Sequence, residues 1–184
     1  MVGLVEHFRA MAGNNLWSNY RLHKACAQLP TKEYFADRGA FFRSIHGTLN
    51  HILLVDRYYA AAIASAHVES GPLDRELYSD LPSLTAAQLE ADRHLVTLCE
   101  GLASRDLEAV ARWTDSHGDT CEDPVSLVLT HLFLHQIHHR GQIHNILSAL
   151  SRQPPQLDEY FLSHDAPLRE ADLRELGIPS SVAV

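Results

Sequence analysis

Four long stretches of this chain repeat apolar residues at three- and four-residue steps, and proline, glycine or a polar connection separates each from the next. Such stretches bury their apolar stripes only against one another, so the expected fold is all-α, an antiparallel four-helix bundle. The first runs from about Val2 to Leu29, with Leu4, Phe8, Met11, Leu22 and Cys26 along its stripe and Pro30 as its stop. Asn15 and Asn19 fall inside that stripe. The second spans about Ala40 to His67 and is followed by Gly71 and Pro72. The third begins with a capping box, Thr85-x-x-Gln88, carries Leu84, Ala91, Leu95, Leu98 and Leu102, and ends near Ala103. The fourth opens at Asp123-Pro124, with Asp as N-cap and Pro at the first helical position, and runs to about Ser151.

The stretch from Arg105 to Glu122 loses this period, and His117-Gly118-Asp119 reads as the turn of a small hairpin between helices three and four. Beyond Pro154-Pro155 lie an apolar cluster, Leu157, Tyr160, Phe161 and Leu162, and a short helix from Pro167 to Leu176 that Gly177 closes. No repeat, low-complexity tract or linker divides the chain. Its 184 residues suit a single domain over 1–184, large enough to bury roughly 70% of its unfolded surface.

Acidic residues outnumber Lys and Arg by 23 to 15, which argues against a general affinity for nucleic acid or anionic membrane. The longest uncharged apolar run, Tyr58 to Ala66, falls far short of the ~20 residues that span a bilayer. Glu6, Arg9, Asn14 and Asn15 interrupt the apolar pattern that a signal peptide needs. Cys26, Cys99 and Cys121 are odd in number and show no C-x-x-C spacing, which suits a reducing compartment. A cytoplasmic protein is the expectation.

Imidazole is the overrepresented chemistry, and it concentrates on helix four in the run His131 to His144. At about 100° per residue, His135 and His139 lie some 40° apart, beside Val128, Leu132, Gln142 and Ile146 on the inward face. Two imidazoles spaced i, i+4 can converge on one metal ion. On helix two, His51 shares an apolar face with Ser44, Val55, Tyr58 and Ala62, whereas His46 projects about 140° away. Three neutral imidazoles from two helices leave coordination positions open, as a reactive metal site requires. Asn15, Asn19 or Gln142 suits the hydrogen-bonding support that such ligands need. The competing reading is a plain bundle with hydrogen-bonded core histidines. His131 also pairs i, i+4 with His135, while His138 sits to one side and His144 opposite.

Other chemistries lack their signatures. A zincin needs H-E-x-x-H, but here the run is His135-Gln136-Ile137-His138-His139, and Gln accepts no proton. Di-iron bundles need Glu-x-x-His pairs, which the sequence does not contain. No nucleophile elbow, P-loop or dinucleotide fingerprint is present.

Several separate motifs, in order, resemble the DinB-like family of metal-binding four-helix bundles, which includes thiol-dependent S-transferases. They are NNLWSNYRL at Asn14 to Leu22, SIHGTLNHILLVDRY at Ser44 to Tyr58, HLFLHQIHHRGQ at His131 to Gln142, and PPQLDEYFL at Pro154 to Leu162. The resemblance implies a metal triad at His51, His135 and His139, the three residues already selected by facing direction. It implies a divalent ion such as zinc or nickel, and a low-molecular-weight thiol such as mycothiol or bacillithiol as the activated partner. A metal-bound thiol is deprotonated at neutral pH, so thiol addition or transfer would follow. The alternative is a non-catalytic metal-binding or stress-response protein. Arg140, Gly141 and Gln142 also match the family pattern, with helix packing as the other reading. Asp56 faces away from His51 and reads as a structural bond or ion pair. Phe133, Leu134 and Ile137 extend the apolar surface of helix four beyond one stripe, which suggests packing on the hairpin, the tail or a second copy. A homodimer is the expected assembly. The segment from Arg105 to Glu122 would line a pocket entrance with Cys121 close to it, although Cys121 reads first as a small semi-buried residue.

Overall fold

The computed structural model describes residues 3–67, 71–115, 117–150 and 152–178. In chain order the elements are α1 (Leu4–Cys26), α2 (Thr31–Phe35), α3 (Ile45–Ile63), α4 (Leu81–Gly101), β1 (Val110–Thr114), β2 (Thr120–Pro124), α5 (Val125–Ala149) and α6 (Ala166–Leu176). The four long helices are those the periodicity predicts, and the strands form the expected two-stranded hairpin between the third and fourth. The predicted end of the last long helix at Ser151 lies outside the described residues.

Local chemistry moves three of the helix starts. Ser44 caps α3 by accepting from the Gly47 N–H at 3.0 Å, so the helix begins after Phe41 and Phe42 and leaves both in a turn. Asp80, not Thr85, caps α4, accepting from the Ser83 N–H at 2.8 Å, and Pro82 sits in the first turn. Asp123 does not cap α5. It pairs with Ala111 in the hairpin, and the Val125 N–H continues to the Ala109 carbonyl at 2.9 Å, so the strand runs directly into the helix.

Named contacts fix the helix directions. Arg9 meets the carbonyls of Cys99 and Glu100 while His23 meets Thr85, so α1 and α4 are antiparallel. His51 meets His135 while Tyr59 meets His131, so α3 and α5 are antiparallel as well. Phe8 stacks near Phe133 and Asn19 bonds Arg140, which sets α1 parallel to α5. It follows that α3 and α4 share a direction.

Apolar clusters fill the two ends of this bundle, one around Phe8, Leu95, Leu129 and Phe133, the other around Leu22, Ile52, Leu84 and Ile143. A buried polar layer from all four long helices separates them. Asn15 and Asn19 donate to Asp92 Oδ1 at 3.0 and 2.9 Å, and each accepts from the Arg140 guanidinium. Gln88 donates to Asp92 and to Asp56, and Gln136 donates to the other Asp56 oxygen at 2.6 Å. Asp56 thus makes structural hydrogen bonds, as its facing direction implies. Burial pushes its carboxyl up to about 7 and raises Asp92 well above the ordinary range. Burial also lowers Arg140 to about 10, against the pull of both acids. One cation cannot balance two buried anions, so the carboxyl pair retains a proton near neutral pH.

The tail wraps α1. Tyr160 packs against Trp17 at a spot that only a glycine at position 13 leaves open, because a Cβ there would collide with the Tyr160 hydroxyl. Of the predicted tail cluster, Tyr160 alone is fully buried, and Leu162 is exposed. Arg21 holds α6 in place through Asp172 at 2.6 Å and the Leu168 carbonyl at 2.7 Å. Phe133 joins the core, whereas Leu134 and Ile137 are 62% and 50% exposed. Among the described residues, no helix is long and apolar enough to cross a membrane.

His23 supplies a pH dependence. It is fully buried, its Nδ1 lies 2.8 Å from Thr85 Oγ1, and its Nε2 has no partner among the described residues. Burial lowers its pKa from 6.5 to about 4. Below pH 6.5 the unfolded chain takes up a proton that the fold refuses until about pH 4, so stability falls as pH drops through that window. The loss at pH 4.5 relative to pH 7 should be on the order of 2–3 kcal/mol from this residue. Urea unfolding of wild type and His23→Asn at both pH values should show the variant losing that much less. Equal losses would show that His23 is not the titrating group.

Candidate metal centre

His51 sits two turns into α3, and His135 and His139 face it from one stripe of α5. Their ring centroids lie 4.9 Å (His51 to His135), 4.6 Å (His51 to His139) and 4.3 Å (His135 to His139) apart. One nitrogen from each lies within 4.8 Å of the others. His51 and His139 are buried and His135 is partly so.

The hydrogen bonds fix which nitrogen of each ring points inward. His51 Nδ1 lies 2.6 Å from the Leu73 carbonyl, which only accepts, so the proton is on Nδ1 and Nε2 carries a lone pair. His139 Nδ1 likewise donates to Gln142 Oε1 at 2.9 Å. The Gln142 amide N–H in turn donates to His138 Nε2 at 3.1 Å. His135 Nε2 faces His51 Nε2 at 2.9 Å, and its own Nδ1 has no partner among the described residues. Burial lowers His51 to about 4 and His135 to about 3, and it lowers His139 too. All three are neutral at physiological pH.

These donors suit a divalent metal. Nitrogens around a tetrahedral ion at ~2.0–2.1 Å are about 3.3 Å apart, close to the spacing of the two facing Nε2 atoms. A cation between them would receive both lone pairs, while Leu73 and Gln142 hold the outer nitrogens as ligand-orienting partners do.

The remaining sequence candidates divide clearly. Gln142 supports the cluster. Asn15 and Asn19 do not, because both are committed to Asp92 and Arg140. Arg140 points into the polar layer rather than the cluster. His138 and His131 are exposed on its flanks. His46 is buried away from it, bonded to the Tyr34 hydroxyl at 2.9 Å. Cys121 stands opposite Trp113 in the hairpin, and Trp113 connects to the cluster's flank through Tyr59 and His131.

Two contributors are not among the sequence candidates. The Phe42 ring stacks on His51, with centroids 3.9 Å apart and planes 22° apart, and turns its edge toward His139. The turn that delivers it has Gly39 and Arg43 at positive φ and lies so close to α3 that a Cβ on Gly47 would collide with the Phe42 carbonyl. The Ser44-x-x-Gly47 start signal, given priority over apolar periodicity, would have freed this turn. The Leu73 carbonyl comes from the connection 64–80 and has no sequence signal.

A family model described as DinB family matches residues 5–172. No curated protein matches the chain.

Proposed function

This chain belongs to the DinB family, and from that premise we propose that it is a metal-dependent transferase that activates a low-molecular-weight thiol. His51, His135 and His139 are the proposed ligands of a zinc or nickel ion. The observation that carries this reading is the facing pair of Nε2 atoms at 2.9 Å, with the His51 proton held on Nδ1 by Leu73. A bound divalent ion supplies Lewis acidity that lowers the pKa of a thiol at its open side. The chain's own residues keep the donor rings neutral by burial, fix their orientation through Leu73 and Gln142, and exclude water from one side with Phe42. The transfer balances as a sulfur lone pair forming a bond to an electrophilic carbon, the displaced group leaving with its bonding electrons, and the thiol proton passing to solvent.

The test is thiol consumption by zinc- or nickel-loaded protein with 1-chloro-2,4-dinitrobenzene across a panel of thiols. Turnover above that of the triple histidine-to-alanine variant is expected with at least one thiol. No acceleration with any of them would leave a metal-binding or stress-response protein without turnover. A cytoplasmic setting accords with this chemistry, since thiols persist in reducing compartments, and the cysteines are free.

A second copy is the proposed partner for the exposed face at Leu134 and Ile137. Light scattering should give twice the chain mass for wild type and the single mass for Leu134→Glu/Ile137→Glu. A monomeric wild type would end that proposal.

A further inference from the structure

On the side of α5 turned away from His135 and His139, a cavity of about 490 Å³ lies between this helix, α1 and the tail. That is within the size range of small-molecule sites. Met11, Ile137, Leu157 and Phe161 give it apolar walls, and its buried polar groups are Asn14 and Arg140, 6% and 4% exposed. Gly141 also lines it, and nothing lies within 4 Å of a Cβ built there.

Both buried groups have bonding capacity that the fold leaves unused. The Asn14 amide has no hydrogen-bond partner among the described residues, and neither of its polar atoms is sealed off. Arg140 uses Nη1 on Asn15 and Asn19. Its other edge, Nε and Nη2, donates to no described residue and is open as well. Nor does Arg140 form an ion pair among the described residues, and Asp56 and Asp92 act on it only from a distance. A buried guanidinium costs free energy until its charge and its donors are matched. The group that matches a free guanidinium edge is a carboxylate, whose two oxygens accept its parallel N–H groups, and the Asn14 amide offers a further donor. Asp158 is the one carboxylate among the described lining residues, and it is exposed. Solvent screens it from an anion at the buried end, but it stands against a second negative charge at the mouth.

We propose that this cavity binds a small monocarboxylate with an apolar body, its carboxylate on the free edge of Arg140 and on Asn14, its body along Ile137, Leu157 and Phe161. The site is separate from the histidine cluster and needs no metal.

Calorimetry with octanoate, 1-octanol and acetate tests it, on zinc-loaded and on chelator-treated protein. Octanoate is expected to saturate at one per chain, roughly tenfold or more tighter than either of the others, and equally with and without zinc. Asn14→Leu removes a donor to a charged group and should weaken octanoate about tenfold while leaving 1-octanol unchanged. Gly141→Leu should fill the cavity and abolish binding. Its urea midpoint should stay the same or rise, because leucine replaces a glycine within a helix, so its lost binding is not lost folding. The Arg140 Nε–H resonance should shift with octanoate and not with 1-octanol. Binding that requires zinc would put the carboxylate on the metal and overturn the site. Equal affinity for 1-octanol, full affinity in Gly141→Leu, or no saturable binding, the result if a second copy of the chain fills the cavity, would overturn it too.

Discussion

Replacing His51, His135 and His139 together by alanine is expected to abolish stoichiometric zinc or nickel binding while leaving a folded bundle. The three rings supply all the inward nitrogen donors of the cluster, and removing even a supporting partner of a ligand typically costs ~10–100-fold in metal affinity. Loss of any one ring should therefore exceed ~100-fold, and Gln142→Leu, which frees His139 Nδ1, should fall within that ~10–100-fold range. Elemental analysis of untagged protein and chelator competition read both effects. Equal metal content in wild type and the triple variant would show that the histidines are ordinary core residues.

Arg140→Met is expected to produce the largest loss of stability, about 3–5 kcal/mol at neutral pH, because it strips from a buried layer holding two carboxyls the only cation there among the described residues. Asn15 and Asn19 would also lose the donor to their amide oxygens. The sign of the pH dependence follows from Asp56 and Asp92. Their folded pKa values are raised by burial and held down in part by Arg140, so without the cation they rise further. A carboxyl whose folded pKa lies above its unfolded value of ~3.9 weakens the fold as pH rises through that folded pKa. The deficit should be small near pH 4.5 and large at pH 7.5 in urea unfolding. Asp56→Asn with Asp92→Asn should recover part of it. A deficit below 1 kcal/mol at pH 7.5 would show that the layer contributes little to stability.

Facing direction was enough to select the three histidines, because a helix turns by a fixed angle per residue and the apolar stripe marks the inside. The same arithmetic misassigned Asn15 and Asn19. It showed that they point inward, but not that Asp92 and Arg140 wait for them there, since their partners lie on other helices. Helix starts failed where periodicity outweighed cap chemistry: Ala40, Phe41 and Phe42 are apolar enough to extend a helical pattern, yet Ser44 closes it. Asp123 reads as an N-cap in isolation, and only the pairing of Val110–Thr114 with Thr120–Pro124 makes it a strand residue. The parallel relation of α3 and α4 was implicit in the length of the connection 64–80, which is far longer than a turn between antiparallel neighbours needs.

Along α5, the cluster and the polar layer use neighbouring positions: His135 then Gln136, His139 then Arg140. Turning this helix to reposition a ring would tear Gln136 from Asp56 and Arg140 from Asn15 and Asn19. The cluster's shape is therefore underwritten by bonds that none of its three rings makes. Such a scaffold is expected to be charged, stripped and recharged without refolding, with ions competing for it as they would for a rigid chelator, by fit and supply.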